Sequence, residues 1–161
     1  MNAPVTLPFP PGCCVRGATT ADADQLAELE SVARASLVGV RGGDALLDEQ
    51  PAVGDWSAVL GSSASTVWVA EIDGVLVGYL QLEHCDHEDI GNVRQVWVDP
   101  DARELGFGDE LLAAAIEHLR AHGATTIESY ALPGDRDTKN LYERAGVTAR
   151  KIIVSKRLDR S

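Results

Sequence analysis

Lysine is scarce in this chain, and its three lysines all lie near the end, at Lys139, Lys151 and Lys156. A Gly-Lys-Ser/Thr phosphate loop of the nucleotide hydrolases is therefore excluded. Basic residues as a whole are few. The chain has 14 lysines and arginines and 25 acidic side chains, for a net charge of -11. A chain of this charge repels nucleic acid, whose recognition needs a basic surface.

Cysteines and long apolar runs are also lacking. The cysteines are Cys13, Cys14 and Cys85, an odd number with two adjacent, which does not suggest a disulfide framework. No run reaches the roughly 18 apolar residues of a membrane span. The N-terminus lacks the basic and apolar pattern of a secretory leader. We therefore expect reduced thiols, a cytoplasmic location and no membrane partner.

The length of 161 residues fits one domain. Four of the seven prolines fall in the first 12 residues, so we expect a flexible tail over residues 1–14 and a single domain over 15–161. Residues 135–161 hold eight basic and four acidic side chains, whereas residues 1–134 hold six and 21. The acidic part favours a cationic ligand, although a solvated surface has the same composition.

The hydrophobic periodicity predicts an α/β fold with a mixed, mostly antiparallel sheet of six or seven strands and about four helices. An antiparallel meander with an Asp73-Gly74 hairpin turn precedes a right-handed strand–helix–strand crossover. The predicted strands are Val15-Arg16, 66–72, 75–82, 93–98, 126–131 and 151–158. The predicted helices start at Asp22 or Asp24, near Ala45, at Phe107 and at Asp135.

One loop carries most of the functional information. The strand that ends at Asp99-Pro100 is followed by Arg103, Gly106 and Gly108, and a helix then begins at once. Such a loop gathers main-chain N–H groups at a helix N-terminus, where they attract phosphate. Glycine allows a ligand to approach the main chain closely. A dinucleotide fingerprint would need a third glycine where Leu111 stands, which argues against a dehydrogenase.

Two motifs resemble those of the GNAT superfamily of acyl-CoA-dependent N-acetyltransferases. The first is Val98-x-Pro100-x-x-Arg103-x-x-Gly106-x-Gly108-x-x-Leu111-Leu112, and the second is Leu141-Tyr142-Glu143-Arg144-Ala145-Gly146. The resemblance covers residues 15–158 and is strongest over 91–150. It implies the GNAT fold and acetyl-CoA as co-substrate, with a possible homodimer.

The resemblance also implies how acetyl-CoA binds. Adjacent strands splay apart, and the strand residues pair with the pantetheine arm while one main-chain N–H, at Val96 or Trp97, polarises the thioester carbonyl. The loop holds the pyrophosphate. Asp135 and Thr138 face the cofactor, although Asp135 is also a suitable helix N-cap. The implied cofactor residues are Val96, Trp97, Val98, Arg103, Glu104, Leu105, Gly106, Phe107, Gly108, Asp109, Asp135 and Thr138.

The implied reaction is acetyl transfer to a primary amine, on a small molecule or protein, by direct attack in a ternary complex. Tyr142 would protonate the departing thiolate, because a phenol carries a transferable proton at neutral pH. The residue in the usual place of the base is Asn92, which cannot accept a proton. Glu83, then His84, or a water chain would replace it. The alternative function is a non-catalytic acyl-CoA-binding sensor or scaffold.

Two further segments contain candidate functional residues. Residues 84–89 contain several metal-ligand types but no ligand spacing, so we expect a solvated loop and no metal. Arg41-Gly42-Gly43 and Trp56 shape the acceptor pocket, or else form a turn and a packed indole. The acidic composition favours a cationic amine acceptor, whose identity the sequence does not give.

Overall fold

The computed structural model describes residues 9–84 and 89–158, and in this part of the chain five strands form one sheet flanked by five α-helices. The strands β1 to β5 are Cys13–Gly17, Ser65–Ile72, Val75–His84, Ile90–Val98 and Thr126–Glu128. The helices α1 to α5 are Ala23–Ala35, Gly43–Glu49, Trp56–Leu60, Phe107–Ala121 and Arg136–Arg144. Short 3-10 segments, Thr20–Asp22 and Pro100–Leu105, precede α1 and α4. The expected α/β fold is confirmed, with five strands in place of six or seven.

The N-terminal boundary differs from the expected one. Strand β1 begins at Cys13, which pairs with Ile72 of β2, so residue 14 lies inside a strand. Phe9 stacks on Phe107 with ring centroids 4.8 Å apart. The apolar contact and the strand pairing attach residues 9–14 to the domain, which the proline content did not predict. Residues 1–8 lie outside the described residues.

The first four strands form the expected antiparallel meander. The hairpin between β2 and β3 turns at Asp73 and Gly74, whose φ angles are 48° and 84°. Two successive residues with positive φ form the turn that matches the twist of a two-residue hairpin. The predicted Asp-Gly turn is therefore confirmed.

The last pair of strands places the site. Strand β5 is parallel to β4, and α4 forms the crossover between them. The two strands pair only where Ile90, Gly91 and Asn92 face residues Thr126–Glu128. Beyond Asn92 no residue of β5 pairs with β4 within the described ranges. The sheet consequently opens between β4 and β5.

Helices cover both faces of the sheet. Helix α4 buries Phe107, Leu111, Leu112, Ala115 and Leu119 against one face, as its sequence periodicity predicts. The other face packs against α1 and α3, in a second cluster with Leu26, Ala33, Trp56, Val67, Val69, Leu76 and Tyr79. Trp56 is 3% exposed, so it is a packed indole rather than a wall of an acceptor pocket.

The strand expected over residues 151–158 is wrong. No residue of this segment pairs with a strand, and Ile152, Ile153 and Val154 are 83%, 82% and 89% exposed. Apolar β-branched residues favour extended backbone, but a strand needs a partner whose main chain is free. In the described part of the chain, β5 pairs with β4 alone and is only three residues long.

A buried carboxylate links α1 to the sheet. Glu30 is 3% exposed, and its oxygens accept hydrogen bonds from Val53 N, Trp56 Nε1 and Gln95 Nε2 at 3.0 to 3.2 Å. Truncation of this side chain leaves three donors without their acceptor, and each buried unpaired group costs about 1–3 kcal/mol.

We expect Glu30→Ala to lower the free energy of unfolding by about 3 kcal/mol because these donors lose their partner. Urea denaturation measures the change. The matched control is Glu28→Ala on the exposed side of the same helix, which should shift stability by less than about 0.5 kcal/mol. Equal effects of the two substitutions would contradict the role assigned to Glu30.

Candidate acetyl-transfer cleft

A cleft of about 860 Å³ lies where β4 and β5 separate. Its walls are the second half of β4, the segment that follows β5, the start of α4, helix α5, and the end of α1 with α2. One end of the cleft therefore meets the glycine loop. The other end lies against α1 and α2.

Two hydroxyl groups replace strand pairing at the point of separation. Ser129 Oγ donates to the carbonyl of Val93 at 3.0 Å, and Tyr130 OH donates to the carbonyl of Arg94 at 2.7 Å. This arrangement explains why β5 ends at Glu128 and does not reach Ala131, where the sequence predicted its end. Further along β4, residues 96–98 line the cleft without a β5 partner in the described residues, so an extended ligand can take that place.

The glycine loop adopts the conformation that the sequence predicts. Gly106 has φ of 85° and caps α4, whose first helical hydrogen bond runs from Glu110 N to Gly106 O. The N–H groups of the residues between them lack intrahelical acceptors, as at the start of any α-helix. The dipole of this 15-residue helix adds partial positive charge at the same point. These features suit a phosphate group.

Arg103 connects the glycine loop to the end of β4 and to α5. Its Nε donates to the carbonyl of Val98 at 2.9 Å, and its Nη1 lies 2.8 Å from the carboxylate of Asp137 on α5. Nearby, Arg144 pairs with Asp109 at 2.9 Å. Arg144, which belongs to the second sequence motif, thus partly neutralises the negative charge that Asp109 places beside the glycines.

Tyr142 lies in the cleft with its hydroxyl group buried. The residue is 6% exposed, and its OH is 2.6 Å from Ser129 Oγ. Because Ser129 donates its own proton to Val93 O, the Tyr142 hydroxyl donates to Ser129. Burial raises the pKa of Tyr142 well above its ordinary value, and the hydrogen bond with Ser129 opposes this rise only in part. The phenol therefore stays protonated across the physiological range.

Most of the residues expected at the cofactor line the cleft. They are Val96, Trp97, Val98, Arg103, Glu104, Gly108, Asp109, Asp135 and Thr138. Leu105, Gly106 and Phe107 are not among the lining residues, and the side chain of Phe107 is fully buried in the core. Asp135 is the N-cap of α5, since its carboxylate accepts from Thr138 N at 3.0 Å and from Thr138 Oγ1 at 2.6 Å.

The residues expected as bases lie outside the cleft lining. Glu83 pairs with Arg94 at 3.0 Å, and it faces Asn92 across the β3–β4 register. His84 Nε2 lies 2.9 Å from Thr66 Oγ1, and its ring is 5.6 Å from that of His118. Burial and the neighbouring His122 and His84 rings lower the pKa of His118. His118 lies in the last turn of α4, and His122 caps the same helix.

Sequence reasoning missed several residues of the cleft. Ser129 and Tyr130 were assigned to a continuing strand, and nothing in their spacing indicated that their hydroxyls bind β4. The side chains from α1, β4 and the end of α2 that line the other end of the cleft carried no motif at all. They are Arg34, Gln50, Arg94 and Gln95.

Over residues 9–84 and 89–158 no group of three or more His, Cys, Asp or Glu is placed to hold a metal ion. Residues 85–88 of the metal-ligand-type loop lie outside those ranges. None of the helices described is long and apolar enough to cross a bilayer.

The model of the acetyltransferase (GNAT) family matches residues 27–147. The chain belongs to the GNAT family. This match contains both sequence motifs and the cleft between β4 and β5. The family assignment made from the motifs is thereby confirmed.

The curated acetyltransferase relatives match this chain over part of their length. A mycothiol acetyltransferase of Thermomonospora curvata is 35% identical over 82 residues, covering 51% of this chain and 27% of the relative. An uncharacterised N-acetyltransferase of Methanocaldococcus jannaschii is 23% identical over 91 residues, covering 53% of this chain and 40% of the relative. The chain thus matches less than half the length of either relative.

Solved structures share the fold at low identity. A ribosomal-protein-alanine N-acetyltransferase from Brucella melitensis aligns with a TM-score of 0.66 and 18% identity, covering 91% of this chain and 99% of its own. The aminoglycoside N-acetyltransferase AAC(6')-Iy, solved with CoA, aligns with a TM-score of 0.67 and 15% identity, covering 91% and 99%. Both likenesses place this chain in the GNAT fold.

Proposed function

We propose that this protein transfers an acetyl group from acetyl-CoA to a primary amine of a small molecule or protein, by direct attack in a ternary complex. The observation that carries the proposal is the opening between β4 and β5. It places unpaired β4 main chain, a helix N-terminus and the Tyr142 hydroxyl along one continuous cleft.

The cleft residues suit acetyl-CoA as a substrate. The pantetheine arm pairs with the main chain of Val96, Trp97 and Val98 as an additional strand would, and the pyrophosphate binds the N–H groups of residues 105–109. Arg103 holds the loop in place through Val98 and Asp137. The N–H of Val96 or Trp97 stabilises the oxyanion that forms on the thioester carbonyl.

The transfer needs one nucleophile and one proton donor. The neutral amine attacks the thioester carbon, the carbon–sulfur bond breaks, and the thiolate takes a proton from Tyr142. Cys13 and Cys14 lie in β1 at the opposite edge of the sheet and do not line the cleft. Direct transfer to the amine is therefore favoured over transfer through either of these thiols.

Glu83 remains our prediction for the base that removes the amine proton. Its carboxylate is held by Arg94 and does not line the cleft, so the proton reaches it through water. A water chain without a dedicated base is the alternative, and His84 is the other side chain considered. A lower kcat for Glu83→Gln, with an altered pH profile, would support Glu83. Unchanged kinetics would favour the water chain.

A non-catalytic acyl-CoA-binding sensor or scaffold is the second candidate function. Asn92 in the usual place of the base, and the acidic Glu104 beside the glycine loop, favour it. Both candidates bind the co-substrate, so turnover distinguishes them.

We expect calorimetric titration to detect binding of acetyl-CoA and none of NAD, because the loop lacks the third glycine of a dinucleotide site. Thiol release in the presence of a panel of primary amines then tests transfer. Binding without release from any amine would favour the sensor or scaffold. Absence of acetyl-CoA binding would contradict both functions.

The acceptor enters from the end of the cleft opposite the glycine loop. The acidic composition of residues 1–134 supports an amine that is cationic before it loses its proton. The side chains that line this end define the acceptor more narrowly than the overall charge does.

A further inference from the structure

Two arginines line the end of the cleft that is farthest from the glycine loop. Arg34 lies in the last turn of α1 and Arg94 lies in β4, and both are half-buried. Tyr130 and Gln50 line the cleft beside them. An arginine presents five N–H donors in a planar fork, which matches the two oxygens of a carboxylate.

Arg34 has no carboxylate within 4.0 Å in the part of the chain that the structure describes. Its guanidinium donates to the carbonyl of Gln50 at 2.7 Å and to that of Leu47 at 3.4 Å. These two bonds orient the group against α2 and leave its other donors free. A half-buried positive charge without a counter-ion attracts an anionic ligand.

Arg94 pairs with one carboxylate and also contacts the segment that follows α2, as Arg34 does. Its guanidinium lies 3.0 Å from Glu83 and donates to the carbonyl of Pro51 at 3.3 Å. Tyr130 OH donates to the main chain of Arg94 and lies 3.1 Å from the Gln50 side chain. Residues 50 and 51 therefore bring the two arginines and Tyr130 together. Both arginines act electrostatically on Tyr130, opposing the rise in its pKa that burial causes.

Among the described residues, 9–84 and 89–158, the acidic groups near this end do not line the cleft. Glu83 is outside its lining, and Glu30 is buried behind Gln95, where its oxygens accept three hydrogen bonds. The acidic side chains that do line the cleft lie at the glycine-loop end and on α5. They are Glu104, Asp109, Asp135 and Asp137. The acceptor end thus presents positive charge, although the chain as a whole is acidic.

We propose that Arg34 and Arg94 bind a carboxylate of the acceptor, so that the substrate is a primary amine that also carries a carboxylate, such as an amino acid. The proposal rests on the acetyl-transfer function proposed above. Ser129, which contacts Tyr142, and Tyr130, which contacts Arg94, are adjacent in the chain. The β4 carbonyls that their hydroxyls bind, those of Val93 and Arg94, are adjacent as well. On this proposal, one small molecule contacts both the reacting thioester and the arginine pair.

The test uses trios of acceptors that keep the amine and the side chain and vary the carboxylate, with kcat/KM expressed per neutral amine. Each trio contains an amino acid, its carboxamide and the decarboxylated amine, for alanine, serine, lysine and phenylalanine. Thiol release from acetyl-CoA gives kcat/KM for each compound. We expect the amino acid to exceed its carboxamide by about tenfold or more in at least one trio, as a charge-assisted hydrogen bond provides. Equal values in every trio, or a preference for the uncharged compounds, would overturn the proposal.

Variants separate recognition of charge from support of the fold. Arg34→Gln and Arg94→Gln should each raise KM for the amino acid about tenfold or more, while the affinity for acetyl-CoA is unchanged. Arg34→Lys keeps the charge and should retain part of the preference. The control is Arg120→Gln, whose side chain is 73% exposed on α4 and outside the cleft. An undiminished carboxylate preference in both glutamine variants would overturn the assignment.

A binding measurement keeps this proposal separate from catalysis. If the protein binds acetyl-CoA but acetylates no amine, the proposed transfer function fails. Calorimetric titration of the CoA complex with the four N-acetyl amino acids and their amides then decides the subsite. Binding of an N-acetyl amino acid in preference to its amide supports the carboxylate subsite if Arg34→Gln weakens that binding. Absence of this preference overturns the subsite.

Discussion

Replacing Tyr142 with phenylalanine should lower kcat for acetyl transfer by about 100-fold or more, the range in which a positioned acid contributes. The phenyl ring fills the same buried space, since Tyr142 packs beside Leu141 and the other residues of the α4 core. Only the hydroxyl group, which bonds Ser129, is lost. Steady-state kinetics at saturating acetyl-CoA measure kcat, and calorimetry should give nearly the same Kd for the co-substrate. An unchanged kcat would remove Tyr142 from the mechanism.

The pH profile provides an independent check on the same residue. A raised pKa keeps the phenol protonated as the pH rises, so its ionisation should not reduce kcat below about pH 10, the ordinary value for tyrosine. Any loss of activity at lower pH should persist in Tyr142→Phe. A basic limb near pH 8 that disappeared in this variant would contradict the assigned environment. Ser129→Ala should lower kcat less than Tyr142→Phe, because it alters the position of the donor and leaves its proton in place.

Replacing Gly106 with alanine should weaken acetyl-CoA binding by about tenfold or more, because the backbone there has φ of 85° and an L side chain in this region costs about 1–2 kcal/mol. Relief of that strain changes the turn that directs the first N–H groups of α4 into the cleft. No neighbouring atom lies within 4 Å of a Cβ at this position, so direct contact with the protein does not explain a loss. Calorimetric titration measures the change in Kd.

The matched control lies at the other end of the same helix. Gly123 follows α4 with φ of 78° and has equally open surroundings. Gly123→Ala should therefore lower stability by a similar amount and leave the affinity for acetyl-CoA intact. Equal weakening by both variants would attribute the effect to stability, and would contradict an anion site formed by the main chain of the loop.

The net charge of the whole protein and the charges that line the cleft favour different acceptors. The net charge of -11 describes the whole surface, and it suggested a cationic acceptor. The lining of the cleft differs, because it includes Arg34 and Arg94 and does not include Glu30 or Glu83. Glu30 accepts a hydrogen bond from Trp56, and Glu83 pairs with Arg94 itself. Short-range contacts decide recognition in a cleft of this size, since exposed charges beyond about 8 Å are screened at physiological ionic strength.

Local sequence patterns predicted those elements whose cause is local. The Asp73-Gly74 turn needs positive φ at two successive residues. The spacing of its apolar residues predicts helix α4, and the glycine at position 106 predicts the turn that precedes the helix. The same reasoning failed for residues 151–158, where β-branched side chains favoured a strand. Pairing depends on a distant main chain, and none is supplied in the described structure.

By itself the sequence determined the family and the glycine loop at one end of the cleft, because a glycine loop at a helix N-terminus is built from consecutive residues. Only the tertiary structure decided the other end of the cleft, where we propose that the acceptor binds. Arg34, Gln50, Arg94 and Tyr130 come from four separate segments of the chain and have no common spacing. They meet because β5 leaves β4 after three residues, and hydroxyl groups of the next two residues then bind the β4 carbonyls in place of strand pairing.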